Sequence, residues 1–409
     1  MKKITIFIII LYSTVIANTN SYQGLGDSRS MQDPAMLGLG GSWYFSGQTN
    51  GISVGCSSTF WRSKLSQLSS SFSFINNKFD SYPSNNTQLL NYIHFQVPVG
   101  KNKSIAFSLT PSTRSNYYIK DEGLNDENIL FNGEIINTDI IYYGQGGITD
   151  LKVSYSMAFS NNLSIGMNWD IGFGSFLKRD TLLINNIVVT DFNEYSYNNL
   201  YTDTFESRLL FKTNSFNING LYTKNNFEFA SSITFDYNLV ITENKNYFSN
   251  NNFYNGTEFL SNATNNKSSD FNLREIGIGF TYKLNKKSAL NIELHNNSQR
   301  LIPQEYEIFG NLKNRTTSIH MGMFKWIPTK GDFNILNTIV LRTGAYHEKS
   351  KEFYDFGLTF GVGVEYFNNT SFINLGCKLG IRNSTLIELN NDLYSEIIIS
   401  IMSSDKWFK

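Results

Sequence analysis

The stretch Leu163-Ser164-Ile165-Gly166-Met167-Asn168-Trp169-Asp170-Ile171-Gly172-Phe173-Gly174 decides the fold. Large apolar side chains take every odd position and small or polar ones every even position. Such a period of two belongs to a β-strand with unlike faces, because successive side chains point to opposite sides. The same split returns at Phe227, Phe229, Ile233 and Phe235 against Glu228, Ala230, Ser232 and Thr234. It recurs at Ile276, Ile278, Phe280 and Tyr282, and again at Phe356, Leu358, Phe360, Val362 and Val364.

Soluble sandwiches also alternate, so further features must decide. The minor face is Gly, Ser, Asn and charge while the major face is aromatic and branched, as expected when lipid lies outside and water inside. Many of the segments reach the ~9 to 11 residues of a tilted membrane strand, beyond the ~5 to 6 usual in soluble sheets. Aromatic residues gather near strand ends, among them Tyr118, Phe227, Tyr282, Trp326, Tyr366 and Phe372, which suits interfacial girdles.

The pattern predicts fourteen strands, the first near 69 to 76 and the last near 393 to 404. Short connections rich in turn residues (Gly100 to Lys103, Asn161-Asn162, Asn225-Asn226, Asn285 to Lys287, Pro328 to Gly331, Asn368-Asn369) alternate with longer ones. The longest expected loops are Ile119 to Gly147, Leu183 to Phe205 and Glu243 to Asp270. The expected fold is therefore all-β, a transmembrane antiparallel up-and-down β-barrel over residues 69–409, in the bacterial outer membrane and surrounded by its lipids.

Residues 1–17 read as a signal peptide. Lys2 and Lys3 precede an apolar run from Ile4 that ends at Ala17, too short for the ~20 residues of a spanning helix. Residues 18–68 are too polar and glycine-rich for one strand and too long for a tether. They are expected to form an N-terminal hatch in the lumen, a periplasmic tail being the alternative. Leu37, Leu39, Trp43, Tyr44 and Phe45 supply that segment with apolar surface, and are the candidate ligand-binding residues.

The 34 basic residues cancel the 34 acidic ones, which leaves no excess charge for nucleic acid. His94, His295, His320 and His347 stand in separate contexts, and neither GxSxG nor HExxH occurs, so no enzyme, metal or cofactor is expected. Asp121, Glu122, Asp126 and Glu127 match no calcium loop and read as a solvated cluster. Cys56 and Cys377 read as independent thiols, with Cys377 on the outward parity. Inward charges of both signs, such as Lys152, Asp170, Glu228, Asp236, Glu275, Glu293, Arg342, Glu365 and Lys378, predict a wet, cross-paired lumen.

The segment Val97-Pro98-Val99-Gly100-Lys101 running through Pro111-Ser112-Thr113-Arg114 to Tyr117, and the entry Gly144-Gln145-Gly146-Gly147-Ile148-Thr149, resemble outer-membrane proteins of the FadL type, the long-chain fatty acid transporters. The resemblance covers nearly the whole chain. It implies a 14-stranded barrel with a lumenal hatch, passive uptake of hydrophobic small molecules, sideways exit through the wall, and assembly by the barrel-assembly machinery. Two features depart from that family. Asp33-Pro34-Ala35 matches its hatch motif only in part, and the chain ends Trp407-Phe408-Lys409, one residue past the aromatic. Pro111 lacks an N–H and interrupts the ladder, so the strand is expected to bend at Thr110, Pro111, Ser112 and Thr113, as a lateral opening or as a plain bulge. The alternative function is a non-transporting barrel, structural or associated with protein export.

Overall fold

A computed structural model describes residues 27–28, 33–78, 85–123, 129–131, 134–190, 194–251, 256–268, 272–298, 315–329, 336–350, 353–366, 370–384 and 392–405. The expected signal peptide, the carboxylates Asp126 and Glu127, and Trp407 to Lys409 lie outside these residues.

Fourteen antiparallel strands form the wall: β1 Ser66–Lys78, β2 Asn85–Gly100, β3 Lys103–Gly123, β4 Glu134–Ala158, β5 Leu163–Thr190, β6 Glu194–Lys224 and β7 Phe227–Asn251. The second half comprises β8 Asn272–Asn285, β9 Ser288–Ser298, β10 Arg315–Pro328, β11 Leu336–Lys349, β12 Phe353–Tyr366, β13 Ser371–Ser384 and β14 Asp392–Asp405. Each pairs with the next, and β14 returns to β1 from Leu393↔Lys78 to Asp405↔Ser66. Closure removes the sheet edges that a bilayer cannot hydrate.

Burial follows the predicted parity. On β5, Leu163, Met167, Trp169 and Phe173 are all more than 40% exposed while Ser164, Asn168 and Asp170 are buried. A wall that turns its large apolar side chains outward and its polar ones inward matches a hydrocarbon surround and a protein-filled or wet lumen. The turns at one end are tight: Asn225, between β6 and β7, adopts φ 53°, a left-handed conformation that asparagine tolerates better than most residues.

At the other end the strands run far beyond the alternating segments. The β5–β6 ladder continues from Leu163↔Tyr222 to Thr190↔Glu194, so the expected loop from Leu183 to Phe205 is mostly paired strand. Likewise β3 and β4 stay paired up to Gly123↔Thr138, and Gly256–Ser268 pairs back along the upper part of β7. Both faces of a ribbon outside the bilayer meet water, so alternation lapses although hydrogen bonding persists.

Residues 33–65 pack against the inward faces of the wall. The short helix α1, Pro34–Leu37, starts with Pro34 in its first turn and is capped by Asp33, whose carboxylate accepts from the Ala35 amide at 2.8 Å. The chain then passes Gly40 at φ 83° and crosses wall glycines at close range. A Cβ on Gly344 would lie 2.2 Å from the Gly40 nitrogen. A 3-10 turn, Ser57–Arg62, completes the segment. Its apolar side chains meet Leu221, Ala230, Ala289, Phe324, Val340, Phe372 and Met402, inward residues near the tight-turn end of the wall.

Two aromatic residues expected in the girdles face inward. Phe372 is fully buried with Met36 and Val54. Trp326 donates its indole N–H to the Gly47 carbonyl at 2.8 Å. Both sit on the inward parity, so strand-end position misled where parity would have placed them.

Candidate functional site

The lumenal segment is fastened by side chains from strands around the whole circumference. Glu293 on β9 is the densest anchor. Its carboxylate accepts from the Ser42 hydroxyl, from the Trp43 amide at 2.7 Å and from the Tyr44 amide at 3.2 Å. The His295 Nε2–H donates to the same carboxylate at 3.1 Å, while Glu275 lies 3.9 Å from His295 Nδ1. The imidazole stacks beneath Tyr44, with ring centres 5.2 Å apart, and lies 4.4 Å from the Trp43 ring. Tyr44 ends on the Ser232 hydroxyl at 2.6 Å, and burial pushes its phenol above the usual range. Next to this group, His320 donates from Nδ1 to the Gly40 carbonyl at 2.6 Å and accepts at Nε2 from Ser318 at 2.9 Å.

Four further clamps fix the rest. Arg342 donates from Nε to the Ser46 carbonyl at 2.8 Å. Glu365 accepts from the Thr49 amide at 2.9 Å and from its hydroxyl at 2.6 Å. Asn219 accepts from the Ser58 amide at 2.6 Å and donates to Ser57 at 2.8 Å, and Gln96 donates to the Phe60 carbonyl at 2.7 Å. Arg342, Glu365, Asn219 and Gln96 are all buried, where an unmade hydrogen bond is costly. Strand parity placed Glu293, Arg342 and Glu365 in the lumen, but nothing in the sequence told which backbone groups they would meet.

Among the candidate ligand residues, Trp43 and Tyr44 come together beside His295 with Phe45 edge-on to Tyr44, whereas Leu37 and Leu39 lie elsewhere. Leu39 packs with Ala289, Phe324 and Val340. Leu37, Leu39, Tyr44 and Phe45 are buried, and Trp43 keeps part of its surface accessible. Cys56 is buried beside Tyr44 and Phe45, and that burial pushes its thiol up to about 11. Cys56 and Cys377 are both free thiols, and Cys377 stands opposite Phe360 and Ile397 on the outward face.

Above this segment the lumen is braced by charge. Lys152 reaches Asp170 at 3.9 Å, and Arg274 bridges Asp170 at 3.9 Å and Asp236 at 3.0 Å. Arg274 escaped parity because a bulge between Leu273 and Glu275 adds a residue to β8 and turns two consecutive side chains inward. On the facing wall Asp355 is fully buried and accepts from Arg382 at 2.8 and 3.0 Å, from Tyr394 at 2.9 Å and from Tyr346 at 3.0 Å. Lys378 lies 4.0 Å from the Tyr346 ring centre.

The wall has several register shifts, and one of them lies beside a place where a ladder stops short. β2 and β3 are paired from Gly100↔Lys103 to Ile93↔Leu109, and there their ladder stops. Thr110, Pro111, Ser112 and Thr113 occupy the β3 side of the resulting seam. On the opposite side they stay bonded to β4, with a bulge between Pro111 and Thr113. There the Thr113 hydroxyl accepts from the Ile148 amide at 3.0 Å and the Ser112 hydroxyl donates to the Ile148 carbonyl at 3.3 Å. Gly147, at φ 156°, lies so close that a Cβ on it would fall 2.1 Å from the Thr113 carbonyl oxygen.

These features define a closed 14-stranded outer-membrane barrel with a bonded lumenal segment and a seam in its wall. A family model for BamG matches residues 1–409, and the chain belongs to the BamG family. Among solved structures it is similar to the CymD monoaromatic hydrocarbon channel, with TM-score 0.58, 11% identity, and 93% of this chain and 98% of that one covered. It is similar to a Pseudomonas aeruginosa FadL homologue, with TM-score 0.57, 10% identity and coverage of 94% and 100%. The P. putida toluene transporter TodX follows the same fold, with TM-score 0.52, 9% identity and coverage of 97% and 100%. The comparison with curated sequences finds no match.

Proposed function

We propose that the protein is a passive outer-membrane carrier of hydrophobic small molecules that leave sideways through the seam between β2 and β3. The observation that carries this reading is the end of the β2–β3 ladder at Ile93↔Leu109, beside Pro111 and inside an otherwise closed wall. An apolar solute leaving there enters hydrocarbon without crossing water, and needs neither ATP nor a cofactor. In this reading residues 18–68 act as the hatch, and Trp43, with Tyr44 and Phe45 behind it, offers the aromatic surface that the solute first meets. The likeness to hydrocarbon channels supports the reading at the level of fold.

A second reading is favoured by the BamG family match and by the number of bonds that hold the lumenal segment. It takes the protein as a structural barrel that accompanies the barrel-assembly machinery and carries no solute. Native extraction followed by mass spectrometry of bound small molecules separates the two. A reproducible apolar ligand, with its uptake into proteoliposomes lost when Pro111 is replaced by Val, supports transport. Repeated purification without ligand, together with retention of assembly-machinery subunits, supports the second reading.

A further inference from the structure

The outward face of the wall changes character at one level of its second half. Across β9 to β12, Asn296, Thr317, Lys349 and Tyr354 stand directly opposite one another in a single row of the ladder. Arg315 lies one outward position further from the tight turns on β10. His347 lies one outward position nearer to them on β11, between Ile319 and Phe356. All six of these side chains, from Asn296 to Tyr354, are exposed. The Lys349 ammonium lies 5.1 Å from the centre of the Tyr354 ring, and Asn296 donates from Nδ2 to the Thr317 hydroxyl at 3.2 Å. The described acids of β9 to β13, Glu293, Glu348, Asp355 and Glu365, all take the lumenal parity. Among the described residues of these strands, no carboxylate therefore shares the outward face with Arg315 and Lys349.

Strand geometry sets the level of this row. From the tight-turn pair Pro328↔Thr338 to Thr317↔Lys349 is eleven residue steps along β10. At ~3.3 Å per residue and a tilt of ~40°, the climb along the barrel axis is ~28 Å, against an apolar band ~25 Å tall. The row thus sits just above the hydrocarbon, at the end away from the short periplasmic turns. Immediately below it the outward residues beside His347 are Leu294, Ile319 and Phe356, followed by Ile292, Met321, Ala345 and Leu358. A molecule resting here meets cations and hydrogen-bond donors above and an apolar wall beneath. That arrangement fits an anionic amphiphile standing in the outer leaflet. Arg315 is the diagonal neighbour of Lys349, at a separation of ~7 to 8 Å, so their long side chains can converge on one phosphate. A guanidinium then holds it through parallel hydrogen bonds and an ammonium as a point charge.

We propose that the outward patch of Arg315, His347, Lys349 and Tyr354 binds the phosphate of an outer-leaflet glycolipid of the lipid A type, with its acyl chains along Ile319, Met321, Phe356 and Leu358. Charge complementarity selects the head group, and the height of the patch selects the leaflet. The inference concerns the outside of the wall and holds whether or not the barrel carries a solute.

Titration of lipid A onto the full chain in detergent, followed by native mass spectrometry, tests this. The probes are phosphorylated lipid A and the same lipid with its phosphate removed. The variant is Arg315→Gln with Lys349→Gln. The control is Lys325→Gln, which removes an exposed lysine from the outward face of β10 near its tight turn. Each cation near a membrane surface contributes roughly fivefold to binding an anionic lipid, so the double variant should bind phosphorylated lipid A roughly thirtyfold more weakly. Wild-type protein should show a comparable loss with the dephosphorylated lipid, and the control should bind as wild type does. Equal binding by the double variant and wild type would overturn the proposal, as would a loss of the same size in the control. Should the double variant fail to give heat-modifiable barrel mobility, the two lipids are compared on wild-type protein alone. Equal binding of both lipids would overturn the proposal, and preference for the phosphorylated one, abolished by high salt, would support it.

Discussion

Replacing Glu293 with Gln should release the lumenal segment while leaving the barrel intact. The carboxylate takes four donors, from Ser42, the Trp43 and Tyr44 amides, and His295. Glutamine keeps the shape but puts an amide N–H₂ where one oxygen accepted, so donors face donors, and the remaining oxygen carries no charge for His295. Removing one partner from a buried, hydrogen-bonded charged pair costs about 3 to 5 kcal/mol. At about 1.4 kcal/mol per decade, that corresponds to a fall of roughly two to three and a half orders of magnitude in protection. Hydrogen exchange of the Trp43 to Phe45 amides measures it, because these groups exchange only when the segment lets go. Amides in the centre of β5, which share no partner with Glu293, provide the internal reference and should keep their protection. A change below about 0.5 kcal/mol at residues 43–45, the level of an ordinary surface substitution, would refute the clamp.

Three other substitutions and one labelling experiment extend the reasoning. Gly344→Ala places a Cβ about 2.2 Å from the Gly40 nitrogen, and the overpacking should cost about 1 to 3 kcal/mol, seen as faster limited proteolysis within residues 33–65 on an intact barrel. Arg274→Met leaves Asp170 and Asp236 without their shared cation and should lower barrel stability by about 3 to 5 kcal/mol, read as a lower temperature for loss of heat-modifiable mobility. Trp326→Phe removes the bond to Gly47 and should cost about 1 kcal/mol in exchange protection of the lumenal segment. Cys56, buried and with its thiol pushed up to about 11, should resist a water-soluble maleimide at pH 7 and label only after unfolding, since the thiolate is the reacting form.

How much of this could be read beforehand depends on what each residue touches. Leu163 to Gly174 revealed strand, parity and lipid contact together, because one face meets hydrocarbon and the other does not. Residues 183–205 hid their strands for the converse reason: the sequence does not alternate there, while the backbone ladder remains. Arg274 was lost to a bulge, which breaks parity at a single residue and leaves no compositional trace. Trp326 and Phe372 were assigned by position near strand ends, although they lie on the same parity as Leu221, Ala230 and Phe324. Those apolar residues on an otherwise polar face were the one available signal that something packs inside the tight-turn end. The partners of Glu293 and Arg342 are backbone groups of the lumenal segment, and backbone groups carry no side-chain signature. Pro111 marked the seam's location, but the end of the β2–β3 ladder is a property of two strands and appears only in three dimensions.

The central claim is that the apolar face of a closed wall is bathed by hydrocarbon and the polar face lines the lumen. Spin labels placed singly at residues 163–174 of the protein in liposomes test it through their collision rates with oxygen, which dissolves preferentially in lipid. The account predicts a period of two, with high rates at Leu163, Ile165, Met167, Trp169, Ile171 and Phe173 and low rates at the residues between them. Rates that are flat along the stretch, or highest at Ser164, Asn168 and Asp170, would contradict it.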